Sequence, residues 1–391
     1  MIKVTHIVTG LAPGGAEKML AQVVTGSDSQ QITSEVISLT KSGDVGEHIR
    51  AAGICVKALG MRPQAPNPWL VVRLARWLRE SRPDMVQTWM YHADLVGSLA
   101  ARLAAVPVVW GIHHSNLDPV YNKRRTLRVA RLCAQLSRRL PARIVCCSES
   151  TRRVHIRIGY AAEKMQVIPN GFDLTQFRPR AGAGQWLRDE LGLSPDAPLI
   201  GMAARFHPLK DHSNFVSAAA RLHATHPEVN FLLCGEGTSW KNPQLAGWIA
   251  EAGLRDKFHL LGHRKDMPLI YAALSIATSA SRGEAFPLAV GEAMACGTPC
   301  VVTDVGDSAL LVGDTGRVVP AEDPIALALA WQNLLECGAE RRLQLGLAAR
   351  RRIQQQFSLP AIVERYQQLY LSLAEETPVS VGVSREAALP G

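Results

Sequence analysis

Residues 281–304 read SRGEAFPLAVGEAMACGTPCVVTD. The proline at 287 suits the first turn of a helix, where its missing N–H costs nothing, and Gly297 suits the end of one. The stretch therefore predicts a helix over residues 287–296 between two buried strands, the second of them Cys300–Thr303. Glu284 then lies in the loop ahead of the helix and Glu292 about two turns into it, so that two carboxylates reach one ligand at different heights. The N–H groups of Phe286 and Leu288 sit at the helix N-terminus, where anions and sugar oxygens are held well. Taken alone, the two glutamates also fit a helix cap and a solvated face. The neighbouring segments decide between these readings.

The chain has 391 residues, 47% of them hydrophobic, which is enough for two domains with cores of their own. Its net charge of +9 is uneven: residues 1–180 carry 25 Lys/Arg against 12 Asp/Glu, and residues 181–391 carry 18 against 22. The positive charge therefore belongs to the first half. Eight cysteines without a Cys-x-x-Cys pair fit a reduced, cytoplasmic protein. The opening MIKVTHIVTG lacks the basic flank and long apolar core of a signal peptide, and no run of about eighteen apolar residues occurs. A membrane-bound form is expected to lie on the bilayer.

In the first half, the β-branched run at residues 3–9 reads as the first strand of a parallel sheet, followed by Gly10-Leu11-Ala12-Pro13-Gly14-Gly15-Ala16-Glu17 and a helical pattern. Strand, glycine loop and helix is the form in which backbone amides approach a phosphate. Further strand signals at residues 35–39, 85–88, 106–110 and 143–147 alternate with helical stretches at 69–78 and 94–103, which predicts a doubly wound α/β sheet. His113 and His114 follow the strand around Trp110 at its carboxyl end, where ligands bind in such sheets. Residues 123–157 hold eleven Lys/Arg and one acid, Glu149. Arg124, Arg128, Arg131 and Arg138 fall near helical spacing and suit an anionic membrane surface. A second basic face, Arg73, Arg76, Arg79 and Arg82, follows a helix start at Asn67-Pro68. Nucleic acid is the other partner such charge could take, but no nucleic-acid motif accompanies it.

Pro169-Asn170-Gly171 and Pro179 mark a turn-rich exit from the first domain, and Ala181-Gly182-Ala183-Gly184 reads as a linker. Beyond it, the strand at residues 199–204 leads into Arg205-Phe206-His207-Pro208-Leu209-Lys210-Asp211. An Arg and a Lys five apart on one loop can neutralise a diphosphate from two sides. Strand and turn signals recur at Phe231–Gly237, Phe258–Arg264 and residues 274–279, and residues 359–373 form an amphipathic helix.

These landmarks, in this order over residues 8–320, resemble retaining glycosyltransferase family 4. The resemblance implies the GT-B architecture of two Rossmann-like α/β domains facing each other across a cleft. Residues 1–180 would take the acceptor and 181–357 the nucleotide-sugar donor, with a helix at 358–374 crossing back to the first domain and a disordered tail at 375–391. It also implies residue roles. Glu292 would hold the ribose and Glu284, with the segment Ala285, Phe286, Pro287 and Leu288 that follows it, the donor sugar. Arg205 and Lys210 would hold the diphosphate, Gly14 and Gly15 would approach its β-phosphate, and Gly235, His263 and Arg264 would receive the base. His113, or alternatively His114, would support the sugar during transfer.

No Asp-x-Asp pair is present to hold a divalent cation. Metal-independent transfer without a cofactor is therefore expected, and the resemblance implies transfer from a UDP- or GDP-sugar to a glycan or lipid-linked acceptor in surface polysaccharide or lipopolysaccharide synthesis. The basic face of residues 123–157 would touch the inner face of the plasma membrane, with no nucleic-acid partner. The alternatives are a nucleotide-sugar epimerase on the same architecture, and a basic membrane or nucleic-acid adaptor with a vestigial fold.

Overall fold

The computed structural model describes residues 1–61 and 69–376. The helix start expected at Asn67-Pro68 and the tail from residue 377 lie outside the described residues. Two parallel sheets carry the fold. The first comprises β1 (Ile2–Val8), β2 (Ile32–Ser38), β3 (Cys55–Ala58), β4 (Met85–Trp89), β5 (Val108–Ile112), β6 (Arg143–Cys146) and β7 (Met165–Val167), in the spatial order β3-β2-β1-β4-β5-β6-β7. Helices α1 (Gly15–Gly26), α2 (Gly43–Ala51), α3 (Trp69–Ser81), α4 (Tyr91–Ala104), α5 (Arg124–Leu136) and α6 (Glu149–Arg157) connect these strands.

After α7 (Ala183–Leu191), the second sheet comprises β8 (Leu199–Ala203), β9 (Asn230–Cys234), β10 (Phe258–Gly262), β11 (Ile276–Ser279), β12 (Cys300–Thr303) and β13 (Arg317–Val319), in the order β10-β9-β8-β11-β12-β13. Its helices are α8 (His212–His223), α9 (Pro243–Glu251), α10 (Met267–Ala273), α11 (Leu288–Ala295), α12 (Ser308–Val312) and α13 (Pro324–Glu336). Helices α14 (Ala339–Gln356) and α15 (Leu359–Glu376) complete the chain.

Strands covered on both faces read as unbroken apolar runs, which is why the parallel sheets were legible. Val4, Ile7 and Val8 of β1 are buried, and so are Phe231, Leu232 and Leu233 of β9. Strand order reverses at β1, which pairs with β2 and β4, and at β8, which pairs with β9 and β11. Open α/β sheets bind ligands outside the carboxyl ends of the strands at such a reversal. The glycine loop follows β1, the 205–211 loop follows β8, and the 281–287 segment follows β11.

Several expectations need correction. Strand β5 starts two residues later than the apolar run implies, because the Val106 N–H closes the end of α4 on Ala101 O and Pro107 has no N–H to give. Strands β3, β7 and β13, of three or four residues, carry too short a pattern to be read. The glycine-rich stretch at residues 181–184 is less a linker than the start of α7, which Gly182 opens with φ of +77°. Helix α11 is shorter than expected. Pro287 caps it with φ −77° and ψ 97° instead of occupying its first turn, and Glu292 is the fifth helical residue, little more than one turn in. Arg138 lies beyond α5, which ends at Leu136.

Helix α15 buries Ile362, Val363, Tyr366, Leu369, Tyr370 and Leu373 against the core around β1 and α1. Its approach is set by a short parallel pairing, in which Phe172 N–H donates to Phe357 O and Leu359 N–H to Phe172 O, both at 2.9 Å.

Candidate active site between the two sheets

The two reversal points face each other across a cleft of about 470 Å³. One wall comes from the first sheet: Pro13, Gly14, Gly15, His113, His114 and Cys147, with Asn170 below. The other comes from the second: Ala204, Arg205, His207, Lys210, Ser281 and the segment Gly283 to Val290, Glu284 included.

Two loops of the second domain are tied into one wall. Lys210 Nζ is ion-paired with Glu284 Oε1, which also accepts from Ser281 Oγ at 2.6 Å. Arg282 N–H donates to Leu209 O at 2.8 Å, and the Arg282 guanidinium meets buried Asp211 at 2.7 Å. Asp211 adopts φ of +47° to turn the chain into α8 and accepts there from Asn214 N–H. Arg205 is exposed at the mouth. Gly235 has φ of +148°, and a Cβ there would sit 2.2 Å from Ala204 O and 2.9 Å from Arg205 N. A side chain at 235 would therefore displace the backbone that carries Arg205.

On the opposite wall His113 is half-buried with both ring nitrogens shielded from solvent, and among the described residues neither has a hydrogen-bond partner. Burial lowers its pKa to about 4. Asn170 offsets part of that shift from nearby without reaching hydrogen-bonding geometry, since Asn170 Oδ1 is unpaired as well. At neutral pH the imidazole is uncharged, with one N–H and one lone pair unspent. Trp89 stacks on its ring at 5.1 Å, and Tyr366 of α15 stacks on Trp89 at 6.0 Å. Trp89 Nε1–H donates to His6 Nδ1 at 3.3 Å. Met90, next to Trp89, holds φ of +73°, a conformation that side chains rarely adopt and that recurs at functional clefts. His114 points elsewhere: its Nε2 meets Asn122 Oδ1 at 3.0 Å.

Glu284 with Lys210, Arg205, His113, the glycine loop and Ala285 to Leu288 are thus brought together. Glu292, Gly235, His263 and Arg264 do not line the cleft. Glu292 is buried on α11 and ion-paired with Lys18 Nζ of α1, which also lies 5.1 Å over the Phe177 ring. Tyr271 beside it has its pKa raised by burial and then by the Glu292 charge. Arg264 spends its guanidinium on Asp266 at 2.8 Å and Glu190 at 2.5 Å, while His263 is exposed.

Sequence reasoning missed Lys18, although it adjoins the Gly-Gly-Ala-Glu motif. It also missed the cross-domain cap in which Asp307 accepts from Glu149 N–H at 2.7 Å and Ser150 N–H at 2.8 Å. Asp307 has no local signature, because the helix it caps is 158 residues away.

Comparison with known proteins agrees with this geometry. The family model for glycosyl transferases group 1 matches residues 197–337, and that for glycosyltransferase family 4 matches residues 13–176. A D-inositol 3-phosphate glycosyltransferase of Xylanimonas cellulosilytica is 30% identical over 316 residues, 76% of this chain and 75% of that protein. The Escherichia coli UDP-Gal:alpha-D-GlcNAc-diphosphoundecaprenol alpha-1,3-galactosyltransferase is 28% identical over 62% of this chain, and the match spans 63% of its own length. Anabaena HepE, solved with UDP, superposes with a TM-score of 0.84 at 24% identity, over 95% of this chain and 100% of that one. The order of the two matched segments, one on each sheet, and the relative aligned over most of both chains assign the protein to glycosyltransferase family 4, with the GT-B fold.

Proposed function

We propose that the protein transfers a hexosyl group from a UDP- or GDP-sugar to a glycan or lipid-linked acceptor, with retention of anomeric configuration and without a metal ion. The observation that carries this reading is the convergence, on one cleft between the two sheets, of Arg205, the Lys210–Glu284 pair and His113, whose shielded ring nitrogens have no partner among the described residues. Support for the nucleotide comes from HepE, solved with UDP and with UDP-glucose, and for the acceptor from the Escherichia coli relative, whose name specifies a diphosphoundecaprenol-linked sugar. An epimerase is not favoured by any of these relatives.

In this reading the diphosphate rests against Arg205 and Lys210, which stabilise the charge that grows as the bond from the anomeric carbon to the phosphate oxygen breaks. Glu284 and the amides at the start of α11 orient the sugar, and neutral His113 offers its free N–H or lone pair to a sugar hydroxyl. The acceptor oxygen bonds to the anomeric carbon on the face being vacated, and its proton passes to an oxygen of the departing diphosphate. The two side-chain cations supply the positive charge that a metal ion would otherwise bring. Glu292 would take the ribose hydroxyls, which requires Lys18 to release it. The expected result is that UDP or GDP, alone or as a sugar conjugate, raises the thermal midpoint equally with and without EDTA. Stabilisation that EDTA abolishes would overturn metal independence, and no stabilisation by any nucleotide would overturn the donor site.

The acceptor reading extends to the surface. Among the described residues no helix is long and apolar enough to cross a membrane. Helices α3 and α4 pack together, as do α4 and α5; α3 exposes Val72, α4 exposes Leu103, and α5 exposes Leu132 with Arg124, Arg125, Arg128 and Arg131. Exposed apolar and basic side chains on neighbouring helices suit an anionic bilayer, at about 1 kcal/mol per basic residue. Replacing Arg124, Arg125 and Arg128 by glutamine should weaken binding to phosphatidylglycerol vesicles by about 3 kcal/mol, roughly a hundredfold, and leave nucleotide binding unchanged. Unaltered vesicle sedimentation would remove the membrane from the proposal.

A further inference from the structure

Between Arg205 and Lys210 lies a third group with the chemistry of an anion site. His207 lines the same cleft, and nothing in the motif reading gave it a role. Its Nδ1 accepts the Leu209 backbone N–H at 3.2 Å, capping the short turn Pro208–Lys210. An imidazole nitrogen that accepts holds no proton, so the ring proton sits on Nε2. Burial, Arg205 and Lys210 all lower the His207 pKa, which keeps the ring in this neutral, single-proton form. Among the described residues Nε2 has no protein hydrogen-bond partner, so its N–H is unspent.

The backbone that carries the ring is held from several sides. Phe206 N–H donates to Glu236 O at 2.7 Å, and Lys210 N–H donates to His207 O at 2.8 Å. The Phe206 ring lies between His212, at 5.2 Å, and Trp248, at 5.8 Å. A donor with a fixed tautomer on a fixed loop is preorganised: no rotamer or proton has to move when an anion arrives. Lys210 is already engaged by Glu284, so that among the described residues the uncommitted side-chain donors of this loop are Arg205 and His207.

We infer that His207 is a donor-binding residue, giving its Nε2–H to a phosphate oxygen of the nucleoside diphosphate between Arg205 and Lys210. The inference rests on the donor-site reading above and adds a neutral donor to its two cations. A neutral N–H binds a phosphate oxygen without adding charge that product release would then have to overcome.

Two isosteric substitutions separate this role from capping alone. In His207→Asn the amide oxygen falls near Nδ1 and can keep the cap, but no group reaches the Nε2 position. In His207→Gln the amide nitrogen reaches toward Nε2. Calorimetric titration with UDP, with uridine as the control lacking phosphate, should show His207→Ala and His207→Asn weakened about tenfold or more for UDP, the scale of a hydrogen bond to a charged group. His207→Gln should recover most of that loss, and uridine affinity should not change. Parental UDP affinity in the alanine or asparagine variant, or equal losses for uridine and UDP, would overturn the role while leaving the donor site standing. A parent protein that binds no UDP, GDP or ADP would overturn the donor site itself, and this role with it.

Discussion

Lys210→Ala is expected to lower turnover by about 2 to 4 kcal/mol of transition-state stabilisation, roughly thirty- to a thousandfold, while folding is unaffected. The two halves of this expectation have separate causes. Lys210 is about a quarter exposed, and partly exposed ion pairs contribute little to stability, so its removal leaves the thermal midpoint close to the parent's. Glu284 keeps the Ser281 hydroxyl at 2.6 Å, and the loops remain tied by Arg282 and Asp211. In the cleft, by contrast, a cation aimed at a leaving diphosphate acts in a low-dielectric site where no water replaces it at equal strength. The measurement is release of nucleotide from the sugar donor that stabilises the parent, with a lipid-linked acceptor analogue, alongside circular dichroism. A folded Lys210→Ala protein with parental turnover would remove Lys210 from the reaction.

Trp89→Ala is expected to cost about 3 to 5 kcal/mol of stability, the scale of deleting a fully buried aromatic side chain. Trp89 is the middle of the stack that runs from Tyr366 of α15 to His113 in the cleft. Its removal therefore also frees the His113 ring in the cleft. Because a loss on that scale leaves little folded alanine variant to assay, Trp89→Phe serves as its partner: it keeps a stacking ring and loses the weak 3.3 Å hydrogen bond to His6. The phenylalanine protein should lose far less in urea unfolding and retain most of its turnover, whereas a folded Trp89→Leu protein should lose turnover beyond its loss of stability. Equal activity in the leucine and parent proteins would show that His113 is placed without the stack.

The stack is also why α15 bears on function. Its amphipathic pattern was readable, but where its buried face docks was not. Periodicity gives the direction of a face and not its partner, and Tyr366 meets Trp89 277 positions earlier in the chain. The same holds for Lys18 and Glu292, and for Asp307 and the start of α6. Each is a contact between domains whose two halves carry no mutual signal.

By itself the sequence determined two doubly wound parallel domains, the glycine loop after β1, and the pairing of Arg205 with Lys210 on one loop. These follow from short-range rules: apolar runs bury on both faces of a parallel sheet, glycine and proline punctuate the chain, and charges within one loop stay together. Only the tertiary structure decided that His114 is engaged by Asn122 while His113 stacks on Trp89, that Glu292 is engaged by Lys18, and that Arg264 is committed to Asp266 and Glu190. It also decided which nitrogen of His207 carries the proton. Those outcomes depend on the direction of single side chains and on partners far away in the chain, and both are set by packing once the two sheets have met.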